Sequence, residues 1–205
     1  MSAPHAGRRW DGTARFYDLL ACGAEKRWAP AKTALFSRML PNKRILFAAL
    51  GTGLDIAFFP PARTIVAIDF SPRMLERAAP RVAAYPGEME TWCMDITNLE
   101  FPDNGFDQVF TSCTFCSVPD PIAGLRSLHR VMQPGAELAM FEHTGSRIFP
   151  FNLLLDMCNP LCRSIGPEMN RDTVANVARA GFHIVAVENL FLDVVKIIRA
   201  VKPAA

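Results

Sequence analysis

The sequence predicts an α/β fold: a doubly wound, mostly parallel sheet with an antiparallel C-terminal strand, N-terminal helices and a helical cap. Three observations support this prediction. Apolar runs of strand length alternate with helical patterns along most of the chain. The last two apolar runs are joined by a polar connection, residues 188–193, that is short enough for an antiparallel hairpin. The 205 residues are 50% hydrophobic and 20% charged, which suits a single folded domain, residues 1–205.

The individual elements follow from local patterns. Residues 1–41 are predicted to be an N-terminal helical segment, because apolar side chains recur at helical spacing until Pro41. Ser71 followed by Pro72 is a strong helix start. The predicted strands are 45–50, 65–68, 89–94, 106–112, 136–141, 182–187 and 194–201, and the helices between them are 55–59, 71–85, 122–132 and 172–180.

One apolar segment, residues 146–171, does not fit the alternation of strands and helices. Pro150, Pro160 and Pro167 interrupt it, so it is predicted to form short helices outside the central sheet. We interpret this segment as a substrate cap. Three alternatives would explain its apolar side chains: core packing, a lipophilic substrate pocket, or a surface that rests on a bilayer.

Composition excludes several classes of function. The formal net charge of +2 is too small for nucleic-acid binding by electrostatics alone. Six cysteines, mostly within apolar segments, fit a reducing cytoplasm better than a disulfide scaffold. Charged residues or prolines interrupt every hydrophobic stretch before it reaches membrane-spanning length. We therefore expect a cytoplasmic protein that contacts a membrane, if at all, only peripherally at its inner face.

Doubly wound sheets bind ligands at the carboxyl ends of their strands, and two glycines and an acid lie there. Gly51 and Gly53 follow the first predicted strand and let the backbone approach a ligand closely. Asp69 ends the second strand, where a carboxylate can accept hydrogen bonds from both ribose hydroxyls of an adenosine cofactor. The alternative is that Asp69 only supports the start of the helix at Ser71.

The third strand ends in a second acid, Asp95. Together with Ile96 it suits an adenine ring, and the alternative is a turn aspartate that caps the residues after it. The position of a third loop glycine is occupied by Ile56, and no phosphate-binding Gly-x-x-x-x-Gly-Lys-Ser motif exists. Tyr17 and Tyr85 are the only tyrosines, and neither belongs to the Tyr-x-x-x-Lys pair of a short dehydrogenase. An adenosine cofactor without a pyrophosphate, S-adenosylmethionine, fits best.

His143 is the candidate catalytic base. It follows the fifth predicted strand on the expected substrate side of the sheet, and a histidine titrates near neutral pH. The alternative is a structural histidine that is hydrogen-bonded beside Glu142.

The cysteines offer a weaker alternative, a metal site. Cys113 and Cys116 have the spacing of a metal knuckle, and Cys158 with Cys162 could be its second half. That spacing is loose, and the first pair leaves a buried strand. We therefore predict no metal and interpret these cysteines as the lining of an apolar pocket.

A set of motifs spread over residues 15–203 carries a resemblance to a known family. In chain order they are Arg15-Phe16-Tyr17-Asp18, the glycine loop, Ile68-Asp69-Phe70-Ser71-Pro72-Arg73-Met74-Leu75, Asp95 with Leu99-Phe101-Pro102, Phe106-Asp107, Leu128-His129-Arg130-Val131-Met132-Gln133-Pro134-Gly135 and Ala180-Gly181-Phe182. Together they resemble the class I S-adenosylmethionine-dependent methyltransferases, which have a Rossmann-like fold. The chain is similar in particular to the branch with small thiol methyltransferases, bacterial phospholipid N-methyltransferases and quinone-biosynthesis C-methyltransferases.

The resemblance implies roles for further residues. Tyr17 closes over the cofactor, and Phe70 and Met74 flank its adenine, whose pocket Asp95 and Ile96 complete. The backbone near Cys113 faces the methionine part of the cofactor.

Two residues depart from the family pattern. Phe47 occupies the position of an acid that helps to hold the ammonium group of the cofactor, and Ala49 replaces the first glycine of the loop. Asp18 and Asp55 are the candidates to compensate for the missing acid.

These inferences lead to a predicted function. We expect methyl transfer from S-adenosylmethionine to a small lipophilic acceptor, a thiol or an amine such as a phospholipid head group. In the cap, Asn159, Asn170 and Arg171 are candidates to orient a polar head group, whereas Asn170 or Asp172 could instead cap the next helix. The alternative function is a binding or interaction protein on a degenerate methyltransferase fold, with weak or altered cofactor binding. The sequence predicts no particular oligomeric state.

Overall fold

The structure, a computed structural model, describes residues 3–165 and 167–204, and seven strands of this part form one sheet. The strands are β1 Arg44–Ala48, β2 Thr64–Asp69, β3 Glu88–Cys93, β4 Phe106–Ser112, β5 Met132–His143, β6 His183–Phe191 and β7 Val195–Val201. Their spatial order is β3-β2-β1-β4-β5-β7-β6. β7 pairs antiparallel with β5 and β6, and the other pairs are parallel. The predicted fold class is confirmed.

The helices are α1 Ala3–Phe36, α2 Pro72–Ala83, α3 Pro121–Val131, α4 Phe151–Ile165 and α5 Thr173–Arg179, with a 3₁₀ helix at Leu54–Phe58. Side chains cap the starts of α2, α3 and α5. Ser71 accepts a hydrogen bond from the backbone N–H of Met74, as its sequence context predicted, and Asp172 accepts one from Ala175. Asp172, rather than Asn170, is therefore the cap of α5.

The cap differs from its prediction as a set of short helices. Residues 151–165 form one α-helix of 15 residues that continues through Pro160. A proline inside a helix removes one backbone hydrogen bond without necessarily ending the helix. Similarly, β5 begins at Met132, directly after α3, although Pro134 and Gly135 predicted a break there. Proline and glycine therefore interrupt neither α4 nor β5.

Both faces of the sheet are covered by apolar cores, and β1 contributes to each. Leu46 and Ala48 belong to the core on the side of α3 and α5, whereas Ile45 and Phe47 belong to the core under α1. All four side chains are fully buried. This alternation along the strand determines on which face of the sheet each side chain packs.

Among the described residues, none of the helices combines the length and the apolar character needed to cross a bilayer.

Candidate functional site

A cavity of about 370 Å³ opens at the carboxyl ends of β1, β2 and β4, the edge of the sheet where the sequence predicted a ligand. The predicted cofactor residues that line it are Tyr17, Ala49, Gly51, Asp69, Phe70, Met74, Asp95, Ile96 and Cys113. Gly53 and His143 are the predicted site residues outside this lining. Trp10, from the first turns of α1, also lines the cavity and was not foreseen, because no motif singled it out.

Asp69 connects the glycine loop to the start of α2. One carboxylate oxygen accepts the N–H of Gly51 at 2.8 Å, and the other accepts the N–H of Ser71 at 2.9 Å. Burial raises the pKa of this carboxyl group, and the two N–H donors oppose that effect. An ionised carboxylate has about four acceptor positions. Asp69 can therefore support the loop and still accept hydrogen bonds from a ligand in the cavity.

Asp95 makes the turn contacts that the alternative interpretation of this residue predicted. One of its oxygens accepts both the N–H and the hydroxyl of Thr97, each at 2.8 Å. The same aspartate lines the cavity together with Ile96, whose side chain is almost buried. Its turn role is thus present, and its role toward adenine stays a prediction.

Ala49 and Gly53 have different roles in the glycine loop. Ala49 has a φ of 63°, in the left-handed region that favours glycine, and it lines the cavity. Gly53 has a φ of 80°, and a Cβ on it would lie 3.0 Å from the side chain of Ile56 and 3.3 Å from that of Ala78. Gly53 thus allows the loop to pack against α2, which explains why it does not line the cavity.

Phe47 faces away from the cavity. Its side chain is fully buried under α1, with ring centroids 5.7 Å from Phe36 and 4.9 Å from Phe59. The position therefore belongs to an aromatic core, and an acid is absent from this point of the site.

The two acids considered as replacements are already paired. Asp18 accepts the hydroxyl hydrogen of Thr52 at 2.5 Å and a guanidinium N–H of Arg81 at 2.8 Å. Asp55 lies 2.8 Å from the ammonium group of Lys32, which is 2.7 Å from Glu25. Neither aspartate lines the cavity. Compensation for the missing acid by Asp18 or Asp55 stays untested.

Comparison with known proteins places this geometry in a family. A model described as "Methyltransferase domain" matches residues 46–140. The demethylmenaquinone methyltransferase of Clavibacter sepedonicus is 30% identical over 207 residues, which cover 91% of this chain and 84% of that protein. The chain belongs to the class I S-adenosylmethionine-dependent methyltransferases.

Other relatives of this methyltransferase match over a shorter part of their length. The Ubiquinone/menaquinone biosynthesis C-methyltransferase of Geotalea daltonii is 32% identical over 143 residues, 66% of this chain and 60% of that protein. The chain likewise spans 57% of the demethylmenaquinone methyltransferase of Thermus thermophilus.

Solved structures agree on the fold of this methyltransferase. A SAM-dependent methyltransferase from Aquifex aeolicus superposes with a TM-score of 0.64 at 18% identity, covering 86% of this chain and 92% of the other. The [4+2]-cyclase SpnF superposes with a TM-score of 0.68 at 17% identity, covering 86% and 82%. Because one neighbour is named a cyclase, the fold alone does not determine the reaction.

The residues of the cavity fit the adenosine part of the family cofactor. Asp69 supplies a carboxylate at the end of β2, and Met74 and Ile96 supply apolar contacts beside it. The fit is weaker where the family places an acid, because Phe47 points into the core.

His143 lies apart from the other predicted site residues of this methyltransferase. It ends β5 and is absent from the cavity lining, and its Nδ1 atom is buried without a hydrogen-bond partner among the described residues. Burial lowers the pKa of the imidazole, which favours its neutral form. A general base must reach the proton that it removes. In this arrangement His143 does not contact the cavity, and its role as the base stays a prediction.

Glu142, beside it, was noted in the sequence only as a neighbour of His143. Its carboxylate is fully buried and accepts the hydroxyl hydrogen of Thr111 at 2.9 Å and the N–H groups of Thr114 and Phe115 at 3.2 and 3.1 Å. Burial raises its pKa to about 7, although the hydrogen bonds act in the opposite direction. The sequence signal for a buried carboxylate at this position is an acid inside an otherwise apolar strand.

The raised pKa of Glu142 predicts a pH dependence of folding stability. The native carboxyl group titrates near 7 and the unfolded one near 4.5, so the native state holds a proton that the unfolded state has lost between these values. Its contribution is complete below pH 4.5 and is lost as pH rises through 7, about 3 kcal/mol in all. Urea unfolding from pH 4 to 8 should show this decline in the wild type relative to Glu142→Gln. Parallel pH profiles would contradict it.

The cysteines near the cavity are neutral thiols. Surrounding protein raises the pKa of Cys113 and Cys116, even though the side chain of Cys113 opens onto the cavity. The described residues contain no group of three or more His, Cys, Asp or Glu that could hold a metal ion.

Proposed function

We propose that this methyltransferase transfers a methyl group from S-adenosylmethionine to a small lipophilic acceptor, a thiol or an amine such as a phospholipid head group. When bound, the cofactor supplies a methyl group that is activated by a sulfonium centre. The protein then has to hold the cofactor, position the acceptor in line with the methyl group and exclude water.

The exposed apolar surface of the cap is the observation that carries the choice of acceptor. Phe149 and Met157 are 76% and 79% exposed, and Leu153 and Leu154 are about half exposed. The cap is joined to the cavity wall, because the N–H of Glu168 donates to the carbonyl of Cys116 at 2.8 Å. Large exposed apolar side chains on a segment that is bonded to the cavity loop favour a lipophilic acceptor, or one presented at a membrane surface.

Two titratable groups of the cavity, Tyr17 and Cys113, favour an acceptor that needs little help with its proton. Burial raises the pKa of Tyr17 and of Cys113, so both are neutral and poor bases near pH 7. His143 lies outside the lining. An amine or a thiol exists partly in its nucleophilic form in water, which supports these two acceptors.

A second candidate acceptor is a demethylated quinone. It is favoured by the names of the relatives from Clavibacter sepedonicus and Thermus thermophilus. This acceptor is lipophilic too, so the apolar cap supports it equally well. The two acceptors differ in the reaction, because methylation at carbon requires removal of a proton, and Tyr17 and Cys113 are poor bases for that step.

Cofactor binding is the first test. We expect S-adenosylmethionine and S-adenosylhomocysteine to bind in isothermal titration, whereas NAD should not. If neither adenosyl ligand binds at millimolar concentration, the enzyme proposal is overturned, and a binding protein on a degenerate methyltransferase fold is the remaining function.

Acceptor choice is tested by transfer of a labelled methyl group to alkyl thiols, phosphatidylethanolamine vesicles and a demethylated quinone in parallel. We expect product from a thiol or from the phospholipid. Product from the quinone alone would establish the second candidate instead. Cosedimentation with the same vesicles tests the peripheral membrane contact, and Met157→Glu should weaken it if the apolar surface of the cap is responsible.

A further inference from the structure

The loop of residues 113–118, between β4 and α3, forms one wall of the cavity. Cys113, Thr114, Ser117 and Val118 of this loop all line it. The loop contains one hydrogen-bonded turn, in which the N–H of Ser117 donates to the carbonyl oxygen of Thr114 at 3.0 Å, and Cys113 has a φ of 49°. One turn does not fix all six residues, so the shape of the loop also depends on what holds it from outside.

The sheet holds the loop through Glu142. The buried carboxylate accepts the N–H groups of Thr114 and Phe115, at 3.2 and 3.1 Å. These bonds fix the direction of two successive peptide groups beside the cavity.

The end of the cap holds the same loop from the opposite side through Arg171. The guanidinium group, whose side chain is 10% exposed, donates to the carbonyl oxygens of Phe115, at 3.0 Å, and Val118. It also donates to the carboxylate of Glu168 at 3.1 Å. Charge-assisted hydrogen bonds of this kind are among the strongest in proteins.

Phe115 is the point where the two supports meet. Its N–H donates to the Glu142 carboxylate and its carbonyl accepts from the Arg171 guanidinium, so a buried acid and a buried cation hold the same residue of the loop. Positive charge on Arg171 also lowers the pKa of Glu142, against the larger effect of burial. The two supports are therefore coupled electrostatically as well as through the backbone.

We infer that Arg171 is a positioning residue that sets the shape of the cofactor cavity and links it to the substrate cap. The inference rests on the proposed function, because it treats the cavity as a cofactor site and residues 146–171 as an acceptor site. An acceptor that shifts the cap shifts the carbonyl partners of Arg171, and through them the cavity wall. Binding of acceptor and cofactor is thereby coupled.

The test compares three variants by titration with S-adenosylhomocysteine. Arg171→Met removes both carbonyl contacts and should raise the Kd at least tenfold. Arg171→Lys keeps the positive charge but loses the planar set of guanidinium N–H donors, and it should recover part of the affinity for S-adenosylhomocysteine. Arg147→Met is the matched control in the same cap, because Arg147 is 87% exposed and pairs with Asp172. The Kd of this variant for S-adenosylhomocysteine should stay within twofold of the wild-type value. An unchanged Kd in folded Arg171→Met overturns the inference.

Hydrogen exchange without ligand distinguishes positioning from general destabilisation. In Arg171→Met, the amides of Thr114 and Phe115 should exchange at least tenfold faster, whereas those of β1 should keep their wild-type rates. Equal acceleration of β1 and the loop would overturn the inference. If the wild-type protein binds no S-adenosylhomocysteine, the proposed function fails, and the exchange experiment still decides whether Arg171 fixes the loop.

Discussion

Replacing Asp69 with alanine is expected to raise the Kd for S-adenosylhomocysteine at least 100-fold. Two effects combine in this variant. In the proposed cofactor site the ligand loses the expected acceptor for its ribose hydroxyls, and the loop loses the contacts from the N–H groups of Gly51 and Ser71. Hydrogen bonds to a charged group contribute about 1.5–3 kcal/mol each, so losing them corresponds to roughly two orders of magnitude in affinity. Isothermal titration or equilibrium dialysis measures the change.

Two further variants make this result specific. Asp69→Asn keeps the size of the side chain but turns a donor toward one of the two backbone N–H groups, so we expect an intermediate loss. Asp103→Ala removes a carboxylate that is 68% exposed and pairs with Arg130 outside the cavity lining, so it should leave the Kd unchanged. A change of less than threefold in Asp69→Ala would show that the ligand binds elsewhere.

Replacing Phe47 with glutamate, the residue type that the family pattern favours there, is expected to unfold the protein rather than to improve cofactor binding. The side chain is fully buried between Phe36 and Phe59. Loss of a buried aromatic side chain costs about 3–5 kcal/mol, and an unpaired buried carboxylate adds to that. The total is a large part of the roughly 5–15 kcal/mol by which a domain is stable. Circular dichroism and urea unfolding measure it.

Ala49→Gly is the contrasting change in the same motif. The backbone of Ala49 already has the left-handed conformation that glycine adopts freely, so the variant should be more stable by about 1 kcal/mol and should bind the cofactor at least as well. A folded Phe47→Glu protein with higher cofactor affinity would contradict our interpretation, since it would mean that the carboxylate reaches the cavity.

The sequence predicted those parts of the site that depend on strand ends. Asp69 and Gly51 lie at the cavity because parallel strands bring their carboxyl ends to one edge, whichever helices cover the sheet. It could not show that position 47 is an aromatic core position, because the family pattern indicated an acid and only the packing under α1 reveals the ring contacts. The contacts by which Glu142 and Arg171 hold the loop of residues 113–118 could not be predicted either, since the loop lies far from both residues in sequence and the contacts are mostly to its backbone atoms.

The cap shows the limit of local signals in another way. Its prolines predicted several short helices, but residues 151–165 form one helix, because a proline inside a helix removes a single backbone hydrogen bond and does not have to end the helix. The prediction of a helix start at Ser71 is correct, because a side-chain cap and a first-turn proline act within four residues.

The long helix α1 has different surroundings at its two ends. Leu35 and Phe36, near its C-terminus, are buried in the core on the β1 side of the sheet, whereas Trp10 and Tyr17 belong to the wall of the cavity. Asp11 is tied to α2 by a hydrogen bond from Ser71. Substitutions at Trp10 are therefore expected to act first on ligand binding, and substitutions at Phe36 first on folding stability. One helix thus carries both a ligand-binding surface and a core surface, and these can be altered separately.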